Sequence, residues 1–166
     1  MATCDTCATE FPQNTGRGRK ARFCSTACRM RAYRARRLPE RLTAEPRWAL
    51  ADGKRPMRLD GRLASSTDPG TWTTYAAVRG RPSGIMLGSG LGCYDLDGVT
   101  LDEARGFAAL LDEPVVFVER SLSGKGVHIF VEAPESRGWR RTIGGIKVER
   151  YTRARFIRVT GDRVRL

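Results

Sequence analysis

The chain has 166 residues, with 30 Lys and Arg against 18 Asp and Glu, a formal net charge of +12. That length holds one modest core and a small appendage but not two full domains. The charge points to a polyanionic partner such as nucleic acid. No run approaches the ~20 apolar residues of a membrane span, and Met1-Ala2-Thr3-Cys4 opens no basic-then-apolar leader, so the cytoplasm is the expected compartment and no membrane is an expected partner. The charge is segregated: residues 1–47 carry 11 basic against 4 acidic side chains, residues 137–166 carry 10 against 2, and residues 48–136 carry 9 against 12. An acidic centre between basic ends suits a cation-dependent site on a phosphate-binding protein. Genomic base composition accounts for the preference for Arg over Lys, but not for this segregation.

Along the chain, Cys4-x2-Cys7 and Cys24-x3-Cys28 form two short pairs sixteen residues apart. Each pair can place two thiolates on one ion, and four thiolates fill the tetrahedral shell of a structural Zn²⁺. A redox pair or unrelated thiols are the other readings. Gln13 to Arg19 reads as a flexible loop, and Ser25 as the cap of a helix running from Cys28 to Arg37 and ending before Pro39. Arg29, Arg31, Arg34, Arg36 and Arg37 on that helix are candidate phosphate contacts; a solvated basic helix that only stabilises the amino terminus is the bland alternative. Residues 1–38 are thus expected as a Cys4 zinc module, 39–47 as a linker and 48–166 as the main domain.

Residues 38–83 have little periodic apolar pattern. Trp48 and Trp72 are expected to pack on the core, and Gly53-Lys54-Arg55-Pro56 reads as a basic loop whose Lys54 or Arg55 either faces a ligand or is plain surface. Beyond Gly84 the pattern sharpens. Gly84–Leu87 and Leu91–Asp95 read as strands around Gly88-Ser89-Gly90, Leu101–Leu111 as a helix, and 115–118, 127–131, 146–149 and 156–160 as strands. That order predicts an α+β fold with one sheet domain. Cys93, among apolar neighbours, reads as a small core residue.

Set into these strands are Tyr94-Asp95-Leu96-Asp97, then Ser123-Gly124-Lys125-Gly126-Val127-His128, then Val148-Glu149. On a strand, Asp95 and Asp97 share one face. With a third acid from a neighbouring strand they make a hard-oxygen site suited to Mg²⁺ or Mn²⁺. The glycine-rich Ser/Lys/His segment could hold phosphates through side chains and backbone N–H groups. Singly, each motif is more often a turn, a hairpin loop or a satisfied core histidine.

Together and in this order, these motifs resemble the archaeo-eukaryotic primase superfamily, and in particular the primase-polymerase domains of phages and plasmids. That family carries an acid-x-acid, then a small residue-x-His, then an apolar residue followed by an acid. The resemblance spans residues ~48–161 and includes Trp48, Pro69-Gly70-Thr71-Trp72 and the run from Val148 to Gly161. It implies an RRM-like antiparallel core and template-directed nucleotidyl transfer from nucleoside triphosphates on single-stranded DNA. It further implies Asp95, Asp97 and Glu149 as ligands of catalytic Mg²⁺ or Mn²⁺. His128, Ser123, Gly124 and Lys125 would contact the triphosphate, and Arg155 or Arg158 either the template or triphosphate or, as a solvated edge strand, neither. The helicase domain of many relatives is not expected here, which makes a separate helicase a candidate partner. A phage or mobile-element gene acting in a bacterial host's cytoplasm is the implied setting. Two rival readings stay open: a catalytically silent nucleic-acid-binding or regulatory module, and a metal-dependent nuclease or other phosphotransferase.

Overall fold

The computed structural model describes the chain apart from Asn14, Thr15, Arg17 and Arg36 and the side chains of Tyr33, Arg34 and Ala35. Arg36, the Arg34 side chain and part of the expected loop through residues 13–19 therefore lie outside the described residues. The chain divides into two compact units, Met1–Arg37 and Leu38–Leu166. No described helix is long and apolar enough to cross a membrane.

In the first unit β1 (Ala2–Thr3) and β2 (Glu10–Phe11) form a short antiparallel hairpin. The chain between them is tightened by Cys4 N–H donating to Thr9 O and Ala8 N–H to Cys4 O. Helix α1 spans Thr26–Ala35, and the Ser25 hydroxyl accepts from the Cys28 backbone N–H at 3.2 Å, the expected cap. The Thr6 hydroxyl donates to the Cys28 carbonyl at 3.1 Å and Arg22 pairs with Asp5 at 2.7 Å, tying hairpin to helix. Among the described residues, Cys4 and Phe11 are this unit's only buried apolar side chains. A core that small cannot hold a fold by burial alone.

The second unit is α+β, as expected, and its strands form two antiparallel sheets. The five-stranded sheet has the order β7 (Val115–Arg120), β8 (Gly126–Glu132), β6 (Leu91–Asp97), β10 (Ile146–Tyr151), β9 (Trp139–Ile143). The four-stranded sheet has the order β11 (Phe156–Val159), β5 (Ser83–Met86), β3 (Trp48–Asp52), β4 (Arg55–Met57). Short helices α2 (Glu40–Thr43) and α3 (Tyr75–Val78) flank the second sheet, and α4 (Leu101–Ala108) lies on the first. Helix α4 opens with a full capping box, Thr100 with Glu103, and stops three residues before the expected Leu111.

Strand alternation gives the five-stranded sheet two different faces. Tyr94, Leu96, Val118, Val127, Ile129, Val131 and Val148 pack with Ala104 and Phe107 of α4. On the other face Leu91, Cys93, Phe117 and Phe130 join Trp48, Ile85, Ile157 and Val159 of the four-stranded sheet. Following that second face along β6, Leu91 and Cys93 are in the core and Asp95 and Asp97 emerge from it. Cys93 is the buried core residue expected, its thiol pKa raised by burial.

The stretch 39–47, expected as a linker, belongs to this unit: its Leu42 is buried in the core between the sheets. Trp48 is 1% exposed, its indole N–H donates to the Leu42 carbonyl at 2.7 Å, and its ring packs on Tyr75 at 4.8 Å. Replacing Trp48 by Ala is expected to lower unfolding free energy by about 3–5 kcal/mol, read as an earlier denaturant midpoint at similar slope. Trp72 is half-buried against Ala49, Ala64 and Met86, with the Arg47 guanidinium 4.9 Å above its ring. The expected basic loop at residues 53–56 is the turn and first residues of the β3–β4 hairpin, with Gly53 at φ 58°.

Candidate active site

Cross-strand register brings the polar residues into one row. Glu119 on β7 faces His128 on β8, His128 faces Asp95 on β6, Asp95 faces Glu149 on β10, and Glu149 faces Arg140 on β9. Residues directly opposite in an antiparallel pair share a face, so all five side chains lie on the side away from α4. Two residues on, Asp97 sits between Gly126 and Lys147. The expected Asp95, Asp97, His128 and Glu149 are thus neighbours, though they come from three strands and 55 residues of sequence.

The row opens into a cleft of about 440 Å³ bounded by both sheets. From the five-stranded sheet it is lined by Asp95, Asp97, His128 and the Ser121-Leu122-Ser123 loop; from the other by Lys54, Pro56 and the segment Ala154–Arg158. Leu96 O would lie 2.5 Å from a Cβ added at Gly126, so only glycine lets this loop run beside β6. Ser123 is exposed, its hydroxyl 3.2 Å from Ser121 Oγ and accepting from Lys125 N–H at 3.3 Å. Gly124, at φ 73°, forms the turn, while the exposed Lys125 does not line the cleft.

Lys54 lines the cleft, close enough to Asp95 to oppose the rise of its pKa; Arg55 instead pairs with Asp52 at 2.6 Å. Arg155 lies over the Tyr151 ring at 4.3 Å and reaches Glu149 at 3.7 Å. Arg158 is half-buried, its guanidinium donating to the Ser83 and Val159 carbonyls, and burial lowers its pKa. Among the described residues no carboxylate pairs with Lys54 or Arg158 within 4.0 Å, which leaves two cations facing the cleft.

Asp95 Oδ1 is buried with no hydrogen-bond donor, 3.7 Å from His128 Nε2. Burial raises the Asp95 pKa, His128 opposes the rise, and Asp97 and Glu149 add to it. A buried, undonated oxygen next to two further carboxylates is a poor arrangement for three anions and a fitting donor set for a hard divalent cation. The Glu149 carboxylate meanwhile accepts from Tyr151 OH at 2.8 Å and pairs with Arg140 at 2.8 Å. The acids therefore share a face without their oxygens being gathered to one point.

Gathered ligands are found in the first unit. Cys4, Cys7, Cys24 and Cys28 have sulfurs all within 4.8 Å of one another, with Cys24 Sγ 3.6 Å from Cys7 Sγ and 3.5 Å from Cys28 Sγ. Sulfurs around tetrahedral Zn²⁺ at ~2.3 Å would stand roughly 3.8 Å apart. Hydrogen bonding to the Cys24 backbone brings the Cys4 thiol down to about 6, while its thiol neighbours, Cys28 foremost, push Cys24 up to about 12. Four close thiols cannot all ionise unless a cation joins them. Arg29, Arg31 and Arg37 are exposed.

Sequence reasoning missed Glu119 and Arg140 altogether. Arg140 sits on β9, an edge strand with alternation too weak to read from Trp-Arg-Arg-Thr-Ile. Its one signal was Gly144-Gly145, the hairpin turn to β10.

No curated protein matches the chain. The family model described as the N-terminal domain of bifunctional DNA primase/polymerase matches residues 31–164, most of the length and all of the acid-bearing strands. On that match, and with the acid-x-acid, Gly-x-His and Val-Glu motifs side by side across one sheet, the chain belongs to the bifunctional DNA primase/polymerase family.

Proposed function

We propose that this chain is a metal-dependent nucleotidyltransferase that makes or extends DNA primers from nucleoside triphosphates on a single-stranded DNA template. The observation that carries the proposal is the His128–Asp95–Glu149 row, with its undonated Asp95 oxygen, whose His128 and Asp95 line a cleft faced by Lys54 and Arg158 while Glu149 lies beside it. Asp95, Asp97 and Glu149 would hold Mg²⁺ or Mn²⁺. Bound there, the cation would acidify the attacking 3′-hydroxyl and neutralise charge on the α-phosphate and leaving pyrophosphate. The chain's own part is positioning and charge compensation, which dominate phosphoryl-type chemistry. His128 presents Nε2 to the triphosphate, the Ser123 hydroxyl holds further phosphate oxygens, Gly124 lets the backbone approach them, and the exposed Lys125 would join them only by turning into the cleft. Lys54 and Arg158 supply fixed positive charge, which a purely acidic metal site lacks. Arg155, stacked on Tyr151, is placed to meet template or triphosphate once it leaves Glu149. The first unit, as a zinc module, adds a sequence-independent grip on DNA phosphates through Arg29, Arg31 and Arg37.

The test is incubation of the full chain with single-stranded DNA, labelled nucleotides and Mg²⁺ or Mn²⁺, beside an Asp95→Ala/Asp97→Ala control. New short products that vanish in the control are the expected result; extension only of an added primer narrows the activity to polymerase. DNA shortened without nucleotide would make the chain a nuclease, and DNA bound without incorporation a binding module.

A further inference from the structure

Glu119 is the one fully buried carboxylate among the described residues, and nothing in the reading above uses it. It lies in the catalytic row, next to His128 and two strands from Asp95. Burying an ionised carboxylate is costly unless donors replace the lost water. Here they do. Its Oε1 is 3.0 Å from His128 Nδ1, and its Oε2 accepts from the backbone N–H of Thr160 at 3.0 Å and of Gly161 at 2.8 Å. Those two amides belong to the chain just after β11, and that loop is held in place by the Thr160 hydroxyl donating to Arg120 O at 2.7 Å.

An acceptor at Nδ1 requires an N–H there, which fixes the ring and turns Nε2 towards Asp95 and the cleft. Edge-on packing against Phe130, 6.2 Å away at 83°, restrains the ring's other degree of freedom. The Glu119 bonds to the Thr160 and Gly161 amides are structural; the Oε1 contact to His128 Nδ1 is the one that reaches the site.

We infer that Glu119 is a positioning residue for nucleotide binding: it accepts from His128 Nδ1–H and so aims the ring's other nitrogen, which as Nε2–H donates to a triphosphate oxygen in the imidazolium form. The inference rests on the reading of His128 as a triphosphate contact. Because Glu119 bonds both the ring and the chain after β11, it also ties the cleft's two walls together at the point where the phosphates would lie.

His128 is the chain's single histidine, so its ring nitrogens give an unambiguous magnetic-resonance signal in the full protein. Wild type should show a hydrogen-bonded Nδ1–H that Glu119→Gln weakens or loses. In steady-state incorporation the same variant should raise the nucleotide KM about tenfold and leave kcat within about twofold. In a His128→Ala background, Glu119→Gln should add nothing further to KM, since it acts through a ring that is gone. Should Glu119→Gln fail to fold, Glu119→Asp keeps the charge, withdraws it from the ring and carries the same expectations. A wild-type ring with Nδ1 bare overturns the inference without any variant. So does an unchanged KM, or effects that add in the double variant, in a protein whose wild type is active. A wild type that neither binds nor incorporates nucleotide overturns the functional reading and this inference with it.

Discussion

Asp97→Ala should abolish cation-dependent incorporation, at least about a thousandfold, while the thermal midpoint stays where it was. Asp97 is exposed at the end of β6, and its side chain makes no hydrogen bond and no ion pair with the described residues. Its removal deletes no packing, and surface substitutions of that kind stay within about 0.5 kcal/mol. Several kcal/mol of transition-state stabilisation by a bound cation, lost with one of its carboxylates, corresponds to that rate effect. Asp95→Asn should separate the two properties further. Burial already raises its pKa, so the charged form is a strain on the fold. Neutralising it should leave the midpoint unchanged or higher and remove activity to a similar extent. Activity within about tenfold of wild type in either variant, with the melting curve intact, would remove these acids from the mechanism. A drop in midpoint without loss of activity would make them structural.

How far the site could be read in advance depends on which physical constraint fixes each residue. Asp95 and Asp97 were legible because period-two alternation is local, and their partnership with His128 and Glu149 was suggested by the order of the motifs and given residue roles by the family resemblance. Register, which makes His128 and Glu149 the direct neighbours of Asp95, is set by pairings far apart in sequence. Glu119 was not legible: at the end of Val115-Val116-Phe117-Val118, next to Arg120, it reads as the first polar residue after a strand. One signal was present, since Glu119 shares the parity of Phe117 and so belongs to the core-facing set. The β3–β4 hairpin also had its signal, Asp52-Gly53 between two strands, which Pro56 and the surrounding arginines obscured. Pro56 sits on β4, an edge strand, where its missing N–H is tolerated. That second sheet supplies Lys54, Arg155 and Arg158, which is why the far wall of the cleft could not be drawn from the acid-bearing strands alone.

The second large effect is expected in the first unit. The purified chain should carry one Zn²⁺, and Cys24→Ser or Cys28→Ser should lose both the ion and the fold of Met1–Arg37. Buried apolar surface cannot hold that unit, since among its described residues only Cys4 and Phe11 are buried. The Cys4 carbonyl closes the β1–β2 turn, Thr6 bonds the Cys28 carbonyl, and α1 begins at the ligand pair Cys24 and Cys28. Both halves of the unit are therefore organised around the sulfurs, so that metal binding and folding should be the same event. Cobalt substitution should give thiolate charge-transfer absorption, and proteolysis of the serine variants should cut within the first unit and spare Leu38–Leu166. The expected consequence for function separates the two proposed metal sites. Cation-dependent extension of a primer already bound should survive in the serine variants, because the acid row lies wholly in the second unit. Affinity for single-stranded DNA should fall, and its dependence on salt should flatten in proportion to the phosphates that α1 no longer neutralises. Serine variants that keep a folded first unit would show that the thiols are not its organising centre. Serine variants that keep wild-type DNA affinity and salt dependence would remove Arg29, Arg31 and Arg37 from the DNA contact and leave α1 a solvated helix.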